Sequence, residues 1–396
     1  MTSYWLFLLL VSTCIHQSLS RYRSFSARRN RIKWRIHVNG IRGKSTTTRY
    51  IAALFRECGY RTFAKTTGTA ARIILPDGSE KNVERRGSAN INEQIDILAS
   101  FSQEQAEAAV MECMAINPSY AEWLEQRVMH STISVITNIR HDHTDYLGDN
   151  LTDIARELSR SIPDQSLLIT AESNHSLRRI LKDEAHRRGT EFLLADASNV
   201  TEEDLAGFNH FAIAENVAIG FLIADRLGLP RERALRAMRE AAPDPGSLRL
   251  KSFSCNERRI HWANLFAVND EESFTQVCER LFTLYPETKR LIILNNRHDR
   301  QVRVKIFTEV ALELGFKSLI TFGDFEREVR QITSEQPVKV LHCGNSSQHR
   351  HSDGFTLLRA ISELSEPGAS ALLVGAVNIH TPQATRLLNA IASQSQ

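Results

Sequence analysis

The chain has 396 residues, 42% hydrophobic and 24% charged, with a formal net charge of +3. This is an ordinary globular composition, long enough for two or three domains, and it argues against disorder. So small a net charge implies no polyanion as partner, and no nucleic acid is expected.

The basic excess is local. No Asp or Glu precedes Glu57, while Arg21, Arg23, Arg28, Arg29, Arg31, Lys33 and Arg35 crowd one segment. Ahead of it, residues 4–20 begin Tyr4-Trp5-Leu6-Phe7-Leu8-Leu9-Leu10-Val11 and weaken through His16, Gln17 and Ser18. This is short against the roughly 20 apolar residues of a spanning helix. There is no basic n-region, and the charge follows the apolar run, so a membrane anchor through residues 4–20 is favoured over a cleaved signal or an interfacial helix. The positive-inside rule then places everything after Arg21 in the cytoplasm, with residues 1–35 as anchor and basic linker. The six cysteines (14, 58, 113, 255, 278 and 343) are scattered, with no C-x-x-C, and read as reduced core residues of a cytosolic domain.

Trp34 to Val38 reads as a short apolar strand, followed by a glycine-bounded turn and a helix whose Ile51, Leu54, Phe55 and Cys58 fall at i, i+3, i+4 and i+7, with Gly59 as terminator. Such a loop points backbone N–H groups at an anion. Asn39, Gly40, Ile41, Arg42, Gly43, Lys44, Ser45 and Thr46 are therefore candidate nucleotide-binding residues, with Lys44 reaching the outer phosphates and the Ser45 hydroxyl ligating magnesium. The general phosphate loop has four residues between its glycines; this one is the tighter Gly40-x-x-Gly43-Lys44-Ser45, and a chance Gly-Lys-Ser turn is the alternative.

Next come Lys65-Thr66-Thr67-Gly68-Thr69, a polar turn placed to approach substrate or phosphate, and a hairpin of Arg72 to Leu75 and Lys81 to Glu84 around Pro76-Asp77-Gly78-Ser79. Arg85 and Arg86 are either a solvated basic pair or a contact for an anionic substrate. After Gly87, a helix opening near Asn90 runs to about Ser100. The apolar strand Ala108 to Met111 ends on Glu112, a carboxylate at a strand's C-terminal end, where open α/β sheets place ligands; Glu112 is a magnesium-ligand candidate, or else a capping or surface Glu. A second strand from Ile133 ends at Asn138 and delivers Arg140-His141-Asp142-His143-Thr144-Asp145 into the loop beyond. The cluster suits a divalent cation, magnesium beside a phosphate loop, or zinc as the alternative. Phe208 to Asn216 enters a helix to about Leu227, followed by Gly228-Leu229-Pro230.

Pro243-Asp244-Pro245-Gly246 is a rigid turn, and the chain is expected to divide there into a central domain, 36–245, and a C-terminal one, 246–396. Beyond it the alternation restarts: strand Arg290 to Leu294, helix Val302 to Leu314, strand Lys317 to Phe322, helix Phe325 to Ser334, strand Val338 to His342, helix Phe355 to Leu364 and strand Ser370 to Val374. This argues a second parallel α/β sheet. Two strand-end loops are polar, Asn295 to Arg300 and Gly375 to His380; Arg297 and Arg300 are candidates to neutralise a transferring phosphoryl group, with surface ion pairing as the alternative.

The tight loop resembles that of the Mur ligase superfamily, ATP-dependent amide ligases of peptidoglycan and folylpolyglutamate synthesis. Thr137-Asn138 with Asp142-His143-Thr144-Asp145, about 95 residues further on, resembles the superfamily's second motif, Thr-Asn-x-x-x-Asp-His-x-Asp. The resemblance covers roughly residues 34 to 396. It implies an α/β, Mur-ligase-like central phosphate-loop domain with a parallel sheet and a C-terminal Rossmann-like α/β domain, using ATP and Mg2+. By the same resemblance Asn138 joins the nucleotide site, Asn216 contacts adenine, Ser45 and Glu112 hold one magnesium and His143 a second. Only about 35 residues precede the loop, with no room for the uridine-nucleotide domain of peptidoglycan ligases. Together with Lys65-Thr66-Thr67-Gly68-Thr69 and Asn295-Asn296-Arg297, the chain is similar to the ligase subunits of poly-γ-glutamate synthases, which implies glutamate and the growing poly-γ-glutamate chain as substrates and integral membrane synthase subunits as partners. A folylpolyglutamate-type ligase and a non-catalytic ATP-binding subunit are the alternatives. Two departures stand out: Leu151 to Ser161 lacks the lysine that many Mur ligases carbamylate, offering only Arg156 and Arg160, and Asn264 falls where a ribose-binding Asp is expected.

Overall fold

The computed structural model describes residues 2–67, 70–85, 90–245, 247–343, 354–364, 368–378 and 381–394. Gly68, Thr69, Arg86, Gly87, Gly246, Ile379 and His380, named above, lie outside them. The chain forms two compact units, residues 1–247 and 248–396.

The first unit begins with helix α1 (Thr2–Arg29) and strand β1 (Trp34–Asn39), followed by α2 (Lys44–Glu57), β2 (Thr62–Thr66), β3 (Arg72–Ile74), β4 (Glu80–Asn82), α3 (Asn92–Gln103) and β5 (Ala108–Glu112). It continues with α4 (Pro118–Trp123), a π-helical turn (Leu124–Met129), β6 (Ile133–Ile136), α5 (Thr144–Leu147), α6 (Leu151–Ser159), β7 (Leu167–Thr170), α7 (His175–Arg187), β8 (Glu191–Leu194), α8 (Glu202–Leu205), α9 (Ala214–Leu227) and α10 (Arg231–Glu240). The strands pair in the order β4-β3-β2-β5-β1-β6-β7-β8. All neighbours pair in parallel except β2–β3 and β3–β4, which are antiparallel.

Parallel strands covered on both faces read as near-continuous apolar runs, as β5 and β6 nearly do, whereas β1 interleaves Arg35 and His37 with its apolar residues. On one side Ile36, Val38, Val110 and Val135 pack against Tyr50, Ile51, Leu54 and Phe55 of α2 and the apolar face of α9. On the other, Phe63, Ala109 and Met111 pack with Leu98 and Phe101 of α3 and with Phe25 of α1. The β1–β5 register sets Val38 opposite Glu112, and the β1–β6 register sets Asn39 opposite Ile136, so three strand ends deliver their loops to one place.

Helix α1 corrects the reading of residues 4–20. No helix among the described residues is long and apolar enough to cross a membrane. The apolar run from Tyr4 to Val11 spans about 12 Å at 1.5 Å per residue, against a hydrocarbon core of about 30 Å. The basic stretch is not linker either: Phe25 is buried, the buried Arg29 donates to the Arg127 carbonyl at 3.3 Å, and the Ser102 hydroxyl donates to the Arg28 carbonyl at 2.7 Å. Cys14 is exposed on α1, not a core residue.

The second unit contains β9 (Lys251–Cys255), β10 (Arg258–Leu265), α11 (Glu271–Leu284), β11 (Lys289–Asn296), α12 (Gln301–Glu313), β12 (Ser318–Gly323), α13 (Glu326–Thr333), β13 (Lys339–His342), α14 (Gly354–Leu364), β14 (Ser370–Ala376) and α15 (Pro382–Gln394). Its six strands pair as β13-β12-β11-β14-β10-β9, parallel apart from the edge strand β9. Leu291, Ile293, Ile320 and Leu373 from the sheet centre its core.

Candidate active site

The loop after β1 has its shape imposed by neighbours. Gly40 has φ +116°, and a Cβ there would meet Thr137 Oγ1 at 2.2 Å; Gly43 has φ +80°, and a Cβ would meet Asn216 Oδ1 at 2.3 Å. Both glycines are thus required by backbone conformation and by close approach. The β6 loop grips the same turn: Arg42 N–H donates to Asn138 Oδ1 at 2.9 Å, while the Thr137 hydroxyl and Asn138 Nδ2 donate to the Arg42 carbonyl at 2.7 and 3.2 Å. Asn39 turns its side chain inward, accepting from Gly40 N–H at 2.8 Å and donating to Ser161 at 2.9 Å. Asn216 is buried near the start of α9 and accepts from the Thr47 hydroxyl at 3.3 Å, so its amide braces the loop and the first turn of α2.

Lys44 opens α2 and folds back over the loop, donating to the Gly40 and Ile41 carbonyls at 2.8 and 3.2 Å. Burial, then the nearby Arg42, lower its pKa, opposed by Glu112, Cys113 and Asp142. Ser45 donates to Glu112 Oε2 at 2.8 Å, and the same oxygen accepts from Thr67 N–H at 2.8 Å. A hydroxyl and a carboxylate in contact are hard oxygen donors that fit a divalent cation whose other ligands are water and phosphate oxygens. His143 adopts a left-handed conformation, φ 51°, ahead of α5; burial chiefly lowers its pKa, with Lys44 and Arg42 adding to the effect against the pull of Asp142. Asp142 pairs with Arg42 at 3.1 Å.

A cavity of about 280 Å³ joins these groups: Asn39, Gly40, Ile41, Lys44, Glu112 and His143 line it. Thr67, Arg85, Cys113 and Glu157 line it too. Sequence reasoning assigned no role to Cys113 or Glu157, since nothing local marks a residue that faces a cavity only through packing. Arg156 of α6 and Arg160 just beyond its end are occupied by Asp153, and by Glu122 and Glu157, in ion pairs.

The Lys65 segment differs from expectation. Lys65 and Thr66 are not a turn but the buried end of β2, and Lys65 Nζ lies 2.8 Å from Glu93. Burial lowers the Lys65 pKa against the hydrogen bond it donates to Glu93. Burial works to raise Glu93, and hydrogen bonds from Arg85 and Lys65 overcome it and hold the carboxylate below its ordinary range.

His37 is buried on β1 with Nδ1 2.8 Å from Glu125 Oε2. Glu125 Oε1 accepts from the Ser131 N–H and hydroxyl at 2.7 and 2.9 Å. Burial disfavours the charged imidazole, but the adjoining Cys113 and Glu125 outweigh it and raise its pKa to about 10.

Arg297 and Arg300 belong to the second unit, just beyond β11. Arg297 makes a two-pronged pair with Asp299 at 2.9 and 2.8 Å, and Arg300 lies 3.7 Å from the same carboxylate. Asn295 Nδ2 donates to the Asn378 carbonyl and Asn378 Nδ2 to the Asn295 carbonyl, tying the ends of β11 and β14 together.

Residues 38–212 match the Mur ligase middle domain and residues 250–394 the poly-gamma-glutamate synthase CapB C-terminal domain. Among solved structures, E. coli FolC in complex with DHPP and ADP aligns with a TM-score of 0.63 at 16% identity, covering 95% of this chain and 93% of that one. The bifunctional folylpolyglutamate synthase/dihydrofolate synthase from Yersinia pestis, complexed with AMPPNP and Mn ion, aligns with a TM-score of 0.63 at 15% identity, covering 94% and 93%. The glycine-bounded loop on a parallel sheet and these likenesses define the class as the Mur ligase α/β fold. Two curated relatives narrow it: the capsule biosynthesis protein CapB of Bacillus anthracis is 30% identical over 362 residues, 90% of this chain and 76% of that protein, and the PGA synthase CapB of Bacillus subtilis (strain 168) is 33% identical over 324 residues, 81% and 82%. The chain belongs to the CapB family of poly-γ-glutamate synthases.

Proposed function

We infer that the chain is an ATP-dependent amide ligase that joins glutamates through their γ-carboxylates and so makes poly-γ-glutamate. The observation that carries this reading is the single cavity that joins the phosphate loop and its Lys44 to Glu112 and His143. A γ-carboxylate oxygen of the growing chain attacks the γ-phosphorus of ATP; ADP leaves and an acyl phosphate forms. The amine of the next glutamate then attacks the acyl carbon, inorganic phosphate departs and the amine proton is lost to solvent or base. Catalysis of this kind is mostly positioning and charge neutralisation.

The loop N–H groups and Lys44 hold the phosphates, and Lys44 exchanges its carbonyl partners for phosphate oxygens. Ser45 and Glu112 would hold one magnesium and His143 a second, and magnesium when bound neutralises charge on the phosphoryl oxygens. Asn216 acts on the nucleotide through the loop that it braces, and Asn138 does the same from the β6 side. Arg297 and Arg300 are assigned to neutralising the transferring phosphoryl group. The exposed Tyr4, Trp5, Phe7, Leu9 and Leu10 of α1 are assigned to contact with integral membrane synthase subunits, with the ligase units on the cytoplasmic side, where ATP is supplied.

The test is ADP release by the full chain with ATP and magnesium, with and without glutamate. Glutamate-dependent release is expected, lost in Lys44→Ala. ATP binding without glutamate-dependent turnover, repeated beside its membrane partners, would overturn the reading in favour of a regulatory subunit. Turnover on a pterin-glutamate acceptor alone would favour the folylpolyglutamate reading, which rests on likeness of fold.

A further inference from the structure

Besides Lys44, Arg85 is the only lysine or arginine lining the cavity among the described residues. It is exposed at the cavity's edge, and its guanidinium forms a fork with Glu93, Nε to Oε2 at 2.7 Å and Nη2 to Oε1 at 3.2 Å. Such a pair would ordinarily consume the arginine's charge. Here the carboxylate is shared, because Lys65 Nζ lies 2.8 Å from the same Glu93 Oε1. Lys65 is fully inaccessible, and a buried ammonium needs its counterion far more than a partly exposed guanidinium does. Two cations and one carboxylate leave one positive charge over, and it falls on Arg85, the member that faces the cavity. Neither carboxylate that lines the cavity is bonded to Arg85: Glu112 accepts from the Ser45 hydroxyl and the Thr67 N–H, and Glu157 pairs with Arg160.

We propose that Arg85 binds the α-carboxylate of the terminal glutamate of the acceptor chain, leaving Glu93 to Lys65 when it does so. The proposal rests on the ligase reading above. A terminal γ-linked glutamate carries two carboxylates, of which the γ is consumed by activation and the α passes unchanged into the product. A planar, permanently charged fork near Lys44 selects an acceptor with that second carboxylate and orients the first towards the phosphate loop. The exchange strands no charge, since Glu93 keeps Lys65 throughout. Arg85 is thereby a specificity residue, and the Lys65–Glu93 pair is the device that holds it ready and lets it go.

Two measurements on the full chain test this. Calorimetric titration of γ-glutamylglutamate into protein loaded with a non-hydrolysable ATP analogue reads acceptor binding without turnover, and ADP release reads KM. Arg85→Gln is expected to weaken acceptor binding and raise acceptor KM by about tenfold or more, the worth of a charge-assisted pair, with analogue affinity unchanged, which also reports that the variant is folded. Replacing the terminal α-carboxylate by a carboxamide should cost the wild type a similar factor and cost Arg85→Gln nothing further. Arg85→Lys should recover part of the loss. Unchanged acceptor binding in Arg85→Gln, or losses that simply multiply between variant and amide, would overturn the proposal. Arg85-dependent acceptor binding with no ADP release in any form would overturn the ligase reading and leave the carboxylate site standing.

Discussion

His37 is three residues ahead of the first loop glycine, with no place in the binding motif and a large place in its support. Its imidazole is held charged by partners inside the fold, so folded protein binds a proton that unfolded chain, near the ordinary histidine value of about 6.5, gives up. The folded value is raised to about 10, so the stability this contributes is complete below about pH 6.5 and is lost as pH rises towards 10. Urea midpoints of the wild type should therefore fall across that window, and His37→Gln should be less stable at pH 6 with a flatter profile above it. Parallel profiles for the two proteins would show that His37 is uncharged in the fold. Lys65 makes the opposite point about what residue types reveal. In the sequence it sits in a polar run and looks exposed; in the fold it is buried at the end of strand β2 because Glu93, from helix α3, supplies its charge partner.

Among the elements, those with local signals were legible. The phosphate loop, α2, the β3–β4 hairpin, β5 and the β11 to β14 alternation all follow from glycine positions, helical spacing or short apolar runs in the chain itself. The β9–β10 hairpin was not foreseen, and its turn says why. Asn256 and Glu257 both have positive φ, 48° and 63°, the two-residue turn that asparagine-glycine usually marks, here with a glutamate where glycine is the common choice. Glu257→Gly is expected to stabilise the second unit by about 0.5 to 1 kcal/mol by relieving that conformation, read as a rise in its melting temperature; destabilisation would mean that the Glu257 side chain makes a contact worth more than the strain. β7 and β8, four residues each, were not foreseen either. Helix α1 was misread because its apolar start and basic end match a membrane sequence, whereas Phe25, near its far end, is spent on the domain core. Of the residues that line the cavity, Asn39, Gly40, Ile41, Lys44, Glu112 and His143 were singled out in the sequence; Cys113 and Glu157 were not, since cavity walls are assembled from elements distant in sequence.

At the scale of the molecule, the two units have separate sheets and separate cores, and the phosphate loop belongs to only one of them. Ligand stabilisation acts on the unit that binds. Calorimetry should resolve two transitions, and MgATP at about a hundredfold over its dissociation constant should stabilise the first unit by about 2.7 kcal/mol and shift the second less, by what Arg297 and Arg300 contribute. Equal displacement of both would mean that they unfold as one. The contact between Gly43 and Asn216 carries this logic into design and descent. A methyl group cannot be added to the loop while the amide stands behind it, and α9 supplies that amide from some 170 residues downstream. The binding loop is therefore not a portable cassette: a graft that transfers residues 38–48 without α9 moves the lettering of the motif and leaves behind the mould that gives it form.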